Sequence, residues 1–163
     1  MADYTKPLPI PDIDSQPFWD RCKAHELSAQ RCDDCGKFRW PPQAFCPHCY
    51  SWKFDWTKLS ETGTVYSFVV VHYVSIPAFE GDVPYVVAHI TLDSTDDQIT
   101  MISNVIQCPW QEVRVGMPVR LVFEDVTSEV TLPKFRSNSK RYSALQLLSW
   151  RIEPCPALSK TYV

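Results

Sequence analysis

Four cysteines in the stretch RCDDCGKFRWPPQAFCPHCY, residues 31–50, limit what this chain can fold into more than any other feature. Cys32 and Cys35 form one C-x-x-C pair, Cys46 and Cys49 form a second, and ten residues lie between them. Each C-x-x-C turn directs two sulfurs at one point, and two such turns supply the four soft ligands of a tetrahedral zinc ion. Four protein ligands leave no place for a reactive water, so the spacing predicts a structural Zn2+ site, with iron as the other ion such a set accepts. Two disulfides or a redox dithiol are the competing readings. Disulfides need an oxidising compartment, and nothing in the sequence points to export. A redox C-x-x-C normally occurs once, beside a βαβ pattern.

The rest of the composition narrows the function. A chain of 163 residues, 45% hydrophobic and 21% charged, suits one globular domain with room for a small second module. A net charge of -3 opposes binding to a phosphate backbone, which needs a basic face. Only 4 glycines stand against 14 prolines, and no G-x-G-x-x-G or G-x-x-x-x-G-K is present to cradle a phosphate. The first residues, MADYTKPLPIPDID, lack the pattern of a signal peptide, and no apolar run has the length of a membrane span. Cys22, Cys108 and Cys155 fall outside the double knuckle and read as buried or reduced thiols. The expectation is a cytoplasmic protein with neither membrane nor nucleic acid as partner.

In chain order, Pro7, Pro9 and Pro11 favour an extended arm. Asp14 or Ser15 is placed to cap a helix of about three turns, with Pro17 in its first turn and Phe18, Cys22 and His25 at helical spacing. Two readings of this helix stay open. It packs on its own domain, or its aromatic residues Phe18 and Trp19 dock on a partner. Residues 27–31 alternate as a short strand feeding the first knuckle. Between the knuckles, Phe38, Arg39, Trp40, Pro41, Pro42 and Phe45 cluster, and some of them must shield the metal. His48 lies inside the second knuckle, where four thiolates make it unnecessary as a ligand. Nucleobase deaminases also bind zinc at a C-x-x-C, but they need an H-x-E element that is absent here.

Beyond residue 56 the pattern changes to β-branched and aromatic runs bounded by turn residues. Strands are predicted over 64–74, 84–92, 98–106 and 119–126, with a fifth near 129–132. The polar turn DSTDD joins the second to the third, at the far end of that pair. Five short strands without an intervening helix fit an oligonucleotide/oligosaccharide-binding (OB) barrel. The predicted fold class is mainly β: an N-terminal arm and helix over 1–30, a ribbon over 31–56 and an OB-fold over 57–136. Residues 137–163 form an extension of unassigned structure, within which SALQLLSWRI reads as a short helix or strand.

The order PFWD, RCDDCGKFRWPPQAFCPHC, GTVYSFVVVH, PYVVAHITL, ISNV, VGMPVRLVFEDVT and TLPKFR resembles the bacterial and archaeal zinc-ribbon/OB-fold proteins that accompany thiolases and thiolase-like enzymes. The resemblance runs from about Pro7 to Arg136. It is carried by the double knuckle, CG-x-x-x-WPP, the central strands and the LPKFR ending in one fixed order. It implies a rubredoxin-like ribbon with Cys32, Cys35, Cys46 and Cys49 as ligands. It further implies a non-catalytic accessory subunit of a thiolase, acyltransferase or aldolase acting on acyl-CoA thioesters. In that setting Phe38, Trp40, Pro41 and Phe45, with Phe79 in the loop 76–84, are the expected contacts to the partner or the acyl-CoA. Residues 137–163 depart from the family pattern.

The residues agree with the non-catalytic half of this expectation. A thiolase needs a cysteine nucleophile activated by histidine, plus an oxyanion site, on a larger scaffold. Cys108 in QCPW has no nearby histidine in sequence, and His72, His89, Tyr66 and Tyr73 fall within strand patterns. The rival reading is a single-strand nucleic-acid binder, since OB-folds and ribbons both serve that purpose. The acidic balance opposes it, and Lys134, Arg136, Lys140 and Arg141 form only one small basic cluster.

Overall fold

The computed structural model describes residues 4–138. The predicted helix or strand within 143–152, and Cys155, lie outside the described residues.

Helix α1 (Gln16–Lys23) is eight residues long, shorter than the three turns predicted. Ser15 is its N-cap, as predicted, but its side chain caps no helix N–H and is tied back to Asp12 instead. The Ser15 N–H donates to Asp12 Oδ1 at 2.8 Å, and Asp12 N–H donates to Ser15 Oγ at 3.0 Å. This reciprocal exchange is the capping-box arrangement, with Asp12 as the first member. The helix stops because His25 turns into the left-handed region at φ 56. The His25 N–H then bonds the Cys22 carbonyl and the Glu26 N–H bonds the Arg21 carbonyl, which closes a Schellman motif. Of the two readings for this helix, its apolar face is used internally, since Phe18 and Cys22 are both buried in the core.

The ribbon is a three-stranded antiparallel sheet ordered β2–β1–β3, with β1 (Ser28–Cys32) between β2 (Phe38–Arg39) and β3 (Phe54–Lys58). Five register pairs, from Ser28↔Lys58 to Cys32↔Phe54, hold β1 on β3. β3 is not among the strands predicted above, although Phe54 and Trp56 alternate with polar residues in FDWTK. β3 also runs across the 56/57 boundary drawn from composition.

Five strands close the barrel: β4 (Thr62–Val71), β5 (Tyr85–Leu92), β6 (Thr100–Ile106), β7 (Pro118–Asp125) and β8 (Thr131–Ser137), ordered β4–β5–β6–β8–β7. β8 runs parallel to β6 at Val105↔Phe135 and antiparallel to β7 along its whole length, the Greek-key closure of an OB-fold. The last strand is much longer than predicted. Pro133 cannot donate to a ladder, but it lies outside the short paired stretch with β6, and its carbonyl accepts from Ser103 Oγ at 2.7 Å. A bulge between Val65 and Ser67 leaves Tyr66 unpaired and turned outward.

One core joins the parts. Phe18, Cys22, Leu27 and Ala29 belong to the same buried cluster as Val65, Ala88, Ile90, Val119 and Phe135. The DSTDD turn is not remote from the ribbon. Thr95 is buried, Ser94 Oγ accepts from the Ser60 N–H at 2.9 Å, and Gln98 Oε1 accepts from the Phe38 N–H at 3.2 Å.

Candidate functional site

The two knuckles are built alike. In the first, Gly36 N–H donates to the Cys32 carbonyl and Cys32 N–H to the Lys37 carbonyl. In the second, Tyr50 N–H donates to the Cys46 carbonyl and Cys46 N–H to the Ser51 carbonyl. Each turn needs a left-handed residue after its second cysteine: Gly36 at φ 69 and Tyr50 at φ 60. Glycine takes that conformation freely, and tyrosine does not.

Facing each other, the knuckles bring the four sulfurs within 4.8 Å of one another. The Cys32–Cys49 distance is 3.5 Å and the Cys35–Cys46 distance 3.6 Å. A tetrahedron with metal–sulfur bonds of about 2.3 Å has edges of about 3.8 Å, so the donor set fits a four-thiolate ion. His48 is exposed and not among the grouped ligands.

The local electrostatics already favour thiolate at two corners. Burial opposes ionisation of Cys32, but the N–H groups of Cys35 and Asp34, then Cys49 and Arg39, overcome it and bring the thiol down to about 6. Burial likewise opposes ionisation of Cys46, and the N–H groups of His48 and Cys49 lower its value. At Cys49 the Ser51 N–H favours the thiolate, yet burial and the three neighbouring thiols outweigh it and push the group up to about 12. A metal ion removes this conflict, because its charge stabilises all four thiolates together. Cys22, outside the site, is an inert core thiol pushed up to about 12 by burial.

The residues expected to meet a partner are not equally available. Phe18 is 4% exposed and packs edge-on against Trp19 and Trp40, both at 5.2 Å between ring centroids. Its side chain is a core group, which corrects the expectation that it meets a partner. Trp19, Phe38 and Trp40 are half-buried against that core, whereas Pro41 is exposed. Phe45 is 43% exposed and lies 6.0 Å from Trp52. Trp52 and Tyr50 are 71% and 74% exposed, so the second knuckle carries an aromatic surface larger than the sequence reading assigned. The signal was present in FCPHCYSW, but neither residue falls on a strand or helix period.

Phe79 lies in a short 3-10 turn, Pro77–Phe79, tilted against Tyr85 at 6.1 Å. Both line an open cleft of about 600 Å³ whose other walls include Tyr4 and Lys6 of the arm, Asn104 of β6 and Trp110. Lys6 bridges to Asp82, and Lys134 to Glu124, at the same cleft. The cleft therefore runs over the second and third barrel strands, the usual ligand face of an OB-fold, and reaches Glu124 of β7 and Leu132 and Lys134 of β8.

Residues 19–55 match the family model described as the ChsH2 rubredoxin-like zinc ribbon domain, and residues 56–124 match that of the ChsH2 C-terminal OB-fold domain. The chain is similar to one of the solved Ltp2-ChsH2(DUF35) aldolase, with a TM-score of 0.72 and 35% identity over 80% of this chain and 98% of that one. A DUF35 domain-containing scaffold protein of Methanocaldococcus jannaschii is 34% identical over 104 residues, 63% of this chain and 71% of the relative. The "Probable enoyl-CoA hydratase alpha subunit" of Thermomonospora curvata is 36% identical over 131 residues. That match covers 80% of this chain but only 40% of the relative's length. With a four-cysteine ribbon, a closed five-stranded barrel and these matches in one order, the chain belongs to the ChsH2-type DUF35 family of zinc-ribbon/OB-fold proteins.

Proposed function

We propose that this chain is a non-catalytic accessory subunit that docks on a thiolase-like enzyme acting on acyl-CoA thioesters. One observation carries the reading. The likeness to the ChsH2(DUF35) chain spans 98% of that chain, and the solved structure is of an aldolase pairing it with Ltp2. The scaffold name of the archaeal relative agrees with a supporting role. A hydratase is the alternative enzyme partner, because the hydratase alpha subunit carries a similar stretch within a longer chain.

Zinc bound by Cys32, Cys35, Cys46 and Cys49 would supply folding energy and no chemistry, since four thiolates fill its coordination. Phe45, Tyr50 and Trp52 offer the aromatic anchors on which protein interfaces concentrate their binding energy. The cleft beside Phe79 is the part of the barrel suited to border the partner's acyl or CoA channel. Thioester chemistry itself needs an activated nucleophile. Burial, and then Glu112, raise the pKa of the Cys108 thiol, the reverse of activation.

The test is co-purification of the tagged full chain from its native host, with the bound enzyme identified by mass. Titration of that enzyme with Phe45→Ala and Trp52→Ala should show binding more than tenfold weaker at unchanged zinc content, as expected for interface anchors worth about 2 kcal/mol. Trp19→Ala and Trp40→Ala should weaken it less, because both rings are partly spent in the core. Thioester turnover by the isolated chain would overturn the reading, and capture of a hydratase instead would redirect it.

A further inference from the structure

We infer that Arg39 is the internal counter-ion of the metal centre, setting the charge that the four-cysteine site holds. The inference rests on the zinc-ribbon reading above and goes beyond it to a residue outside the ligand set.

Arg39 is the largest fully buried side chain among the described residues. A guanidinium group stays charged in proteins, and burying a charge is costly unless an opposite charge accompanies it. Its hydrogen bonds all go to neutral acceptors. Nη1 donates to the Ala44 carbonyl at 3.2 Å, and Nη2 donates to the carbonyls of Ser51 at 2.9 Å and Lys53 at 2.7 Å. The flat group lies over Phe54, 4.8 Å from the ring centroid. None of the ion pairs among the described residues includes Arg39, and its Nε is buried with no partner.

The anion that balances this cation is the thiolate cluster. The Ser51 carbonyl that Arg39 bonds also accepts the Cys46 N–H at 2.8 Å, and the Lys53 carbonyl also accepts the N–H of Asp33, inside the first knuckle, at 3.3 Å. Arg39 thus touches the surroundings of both knuckles. Four thiolates around a divalent ion carry a formal charge of about -2 by simple addition of ligand and ion charges. A buried cation alongside reduces that imbalance and favours the more negative state of the centre. A mere hydrogen-bond strut would hold the knuckles equally well whatever the charge of the bound ion.

Iron-substituted protein separates these roles, because its ferric and ferrous forms share one fold and differ by one charge. The reduction potential should fall in Arg39→Gln, reflecting at least a tenfold loss of preference for the ferrous form, about 59 mV for one electron. Arg39→Lys, which keeps the charge and loses the planar fork, should keep most of the wild-type potential. An unmoved potential in Arg39→Gln, or equal shifts in both variants, overturns the counter-ion role and leaves the zinc reading standing. If neither variant retains metal, Cys49→His combined with Arg39→Gln decides. Removing one negative and one positive charge together should restore zinc binding relative to Arg39→Gln alone, and failure to do so overturns the inference. A wild-type chain that takes up neither zinc nor iron overturns both readings.

Discussion

The ring of His25 lies flat on that of Phe123, with planes 6° apart and centroids 5.1 Å apart. Its Nε2 is 2.9 Å from Asp125 Oδ1. Residues a hundred positions apart in sequence thereby pin the end of α1 to the edge of β7. The same contact explains how a non-glycine residue is held in the left-handed conformation that ends the helix.

Asp125 reports on this joint through its titration. The Thr131 hydroxyl first, and His25 second, hold its carboxyl below the usual value. The folded state therefore binds that proton more weakly than the unfolded state. The resulting stability is present above the ordinary carboxylate value of about 3.9 and is lost as pH falls through the lower folded value. Asp125→Asn should lower the thermal midpoint at neutral pH, with the difference from wild type closing below about pH 4. A difference that stays constant down to pH 2 would remove Asp125 as its source.

Gly63 is required by close packing. A Cβ built there would lie 2.6 Å from the Thr91 carbonyl oxygen and 2.9 Å from Ile90 Cγ2. The first of these is backbone within a paired strand and cannot swing aside. Gly63→Ala should cost roughly 1–3 kcal/mol, the range for overpacking a tight core. Urea unfolding measures it, and a midpoint equal to wild type would show that β4 and β5 can part without loss.

The two knuckles respond differently to exchange of their left-handed residues. Gly36→Tyr should destabilise by roughly 1–2 kcal/mol, the strain of that conformation in a residue with a Cβ. Tyr50→Gly relieves the same strain and should leave stability within about 1 kcal/mol of wild type, because glycine's greater unfolded freedom offsets the relief. If the exposed tyrosine serves the docking surface, Tyr50→Gly should nevertheless weaken partner binding. Equal stability losses in both variants would contradict this assignment.

Metal content is the most direct measurement. The purified chain should hold close to one zinc per molecule, and Cys32→Ser or Cys49→Ser should abolish it. Structural zinc contributes on the order of 10 kcal/mol in small finger domains. Chelation should therefore unfold the ribbon and, through Leu27 and Ala29 in the shared core, lower the stability of the barrel. Elemental analysis without zinc or iron, or mass spectrometry showing two disulfides, would refute the assignment.

The amino-acid sequence alone determined the parts whose cause is local. Two C-x-x-C turns fix where sulfurs point, because each knuckle is closed by hydrogen bonds spanning only five residues. Alternating β-branched runs fix four strands within two or three residues, because one face of each must be buried. What spans the chain was decided by the tertiary structure. β3 forms because Phe54 meets Cys32, and β8 carries Pro133 opposite Phe123 of β7, outside its short stretch paired with β6. Phe18 leaves the contact surface because Trp40 and the barrel core receive it, while Tyr50 and Trp52 stay on it because nothing in the ribbon covers them. Arg39 reads in sequence as one more residue of an aromatic cluster. Only the folding of both knuckles around it takes its charge out of water and seats it on carbonyls that the two knuckles share, because burial is a property of the assembled fold and not of any segment.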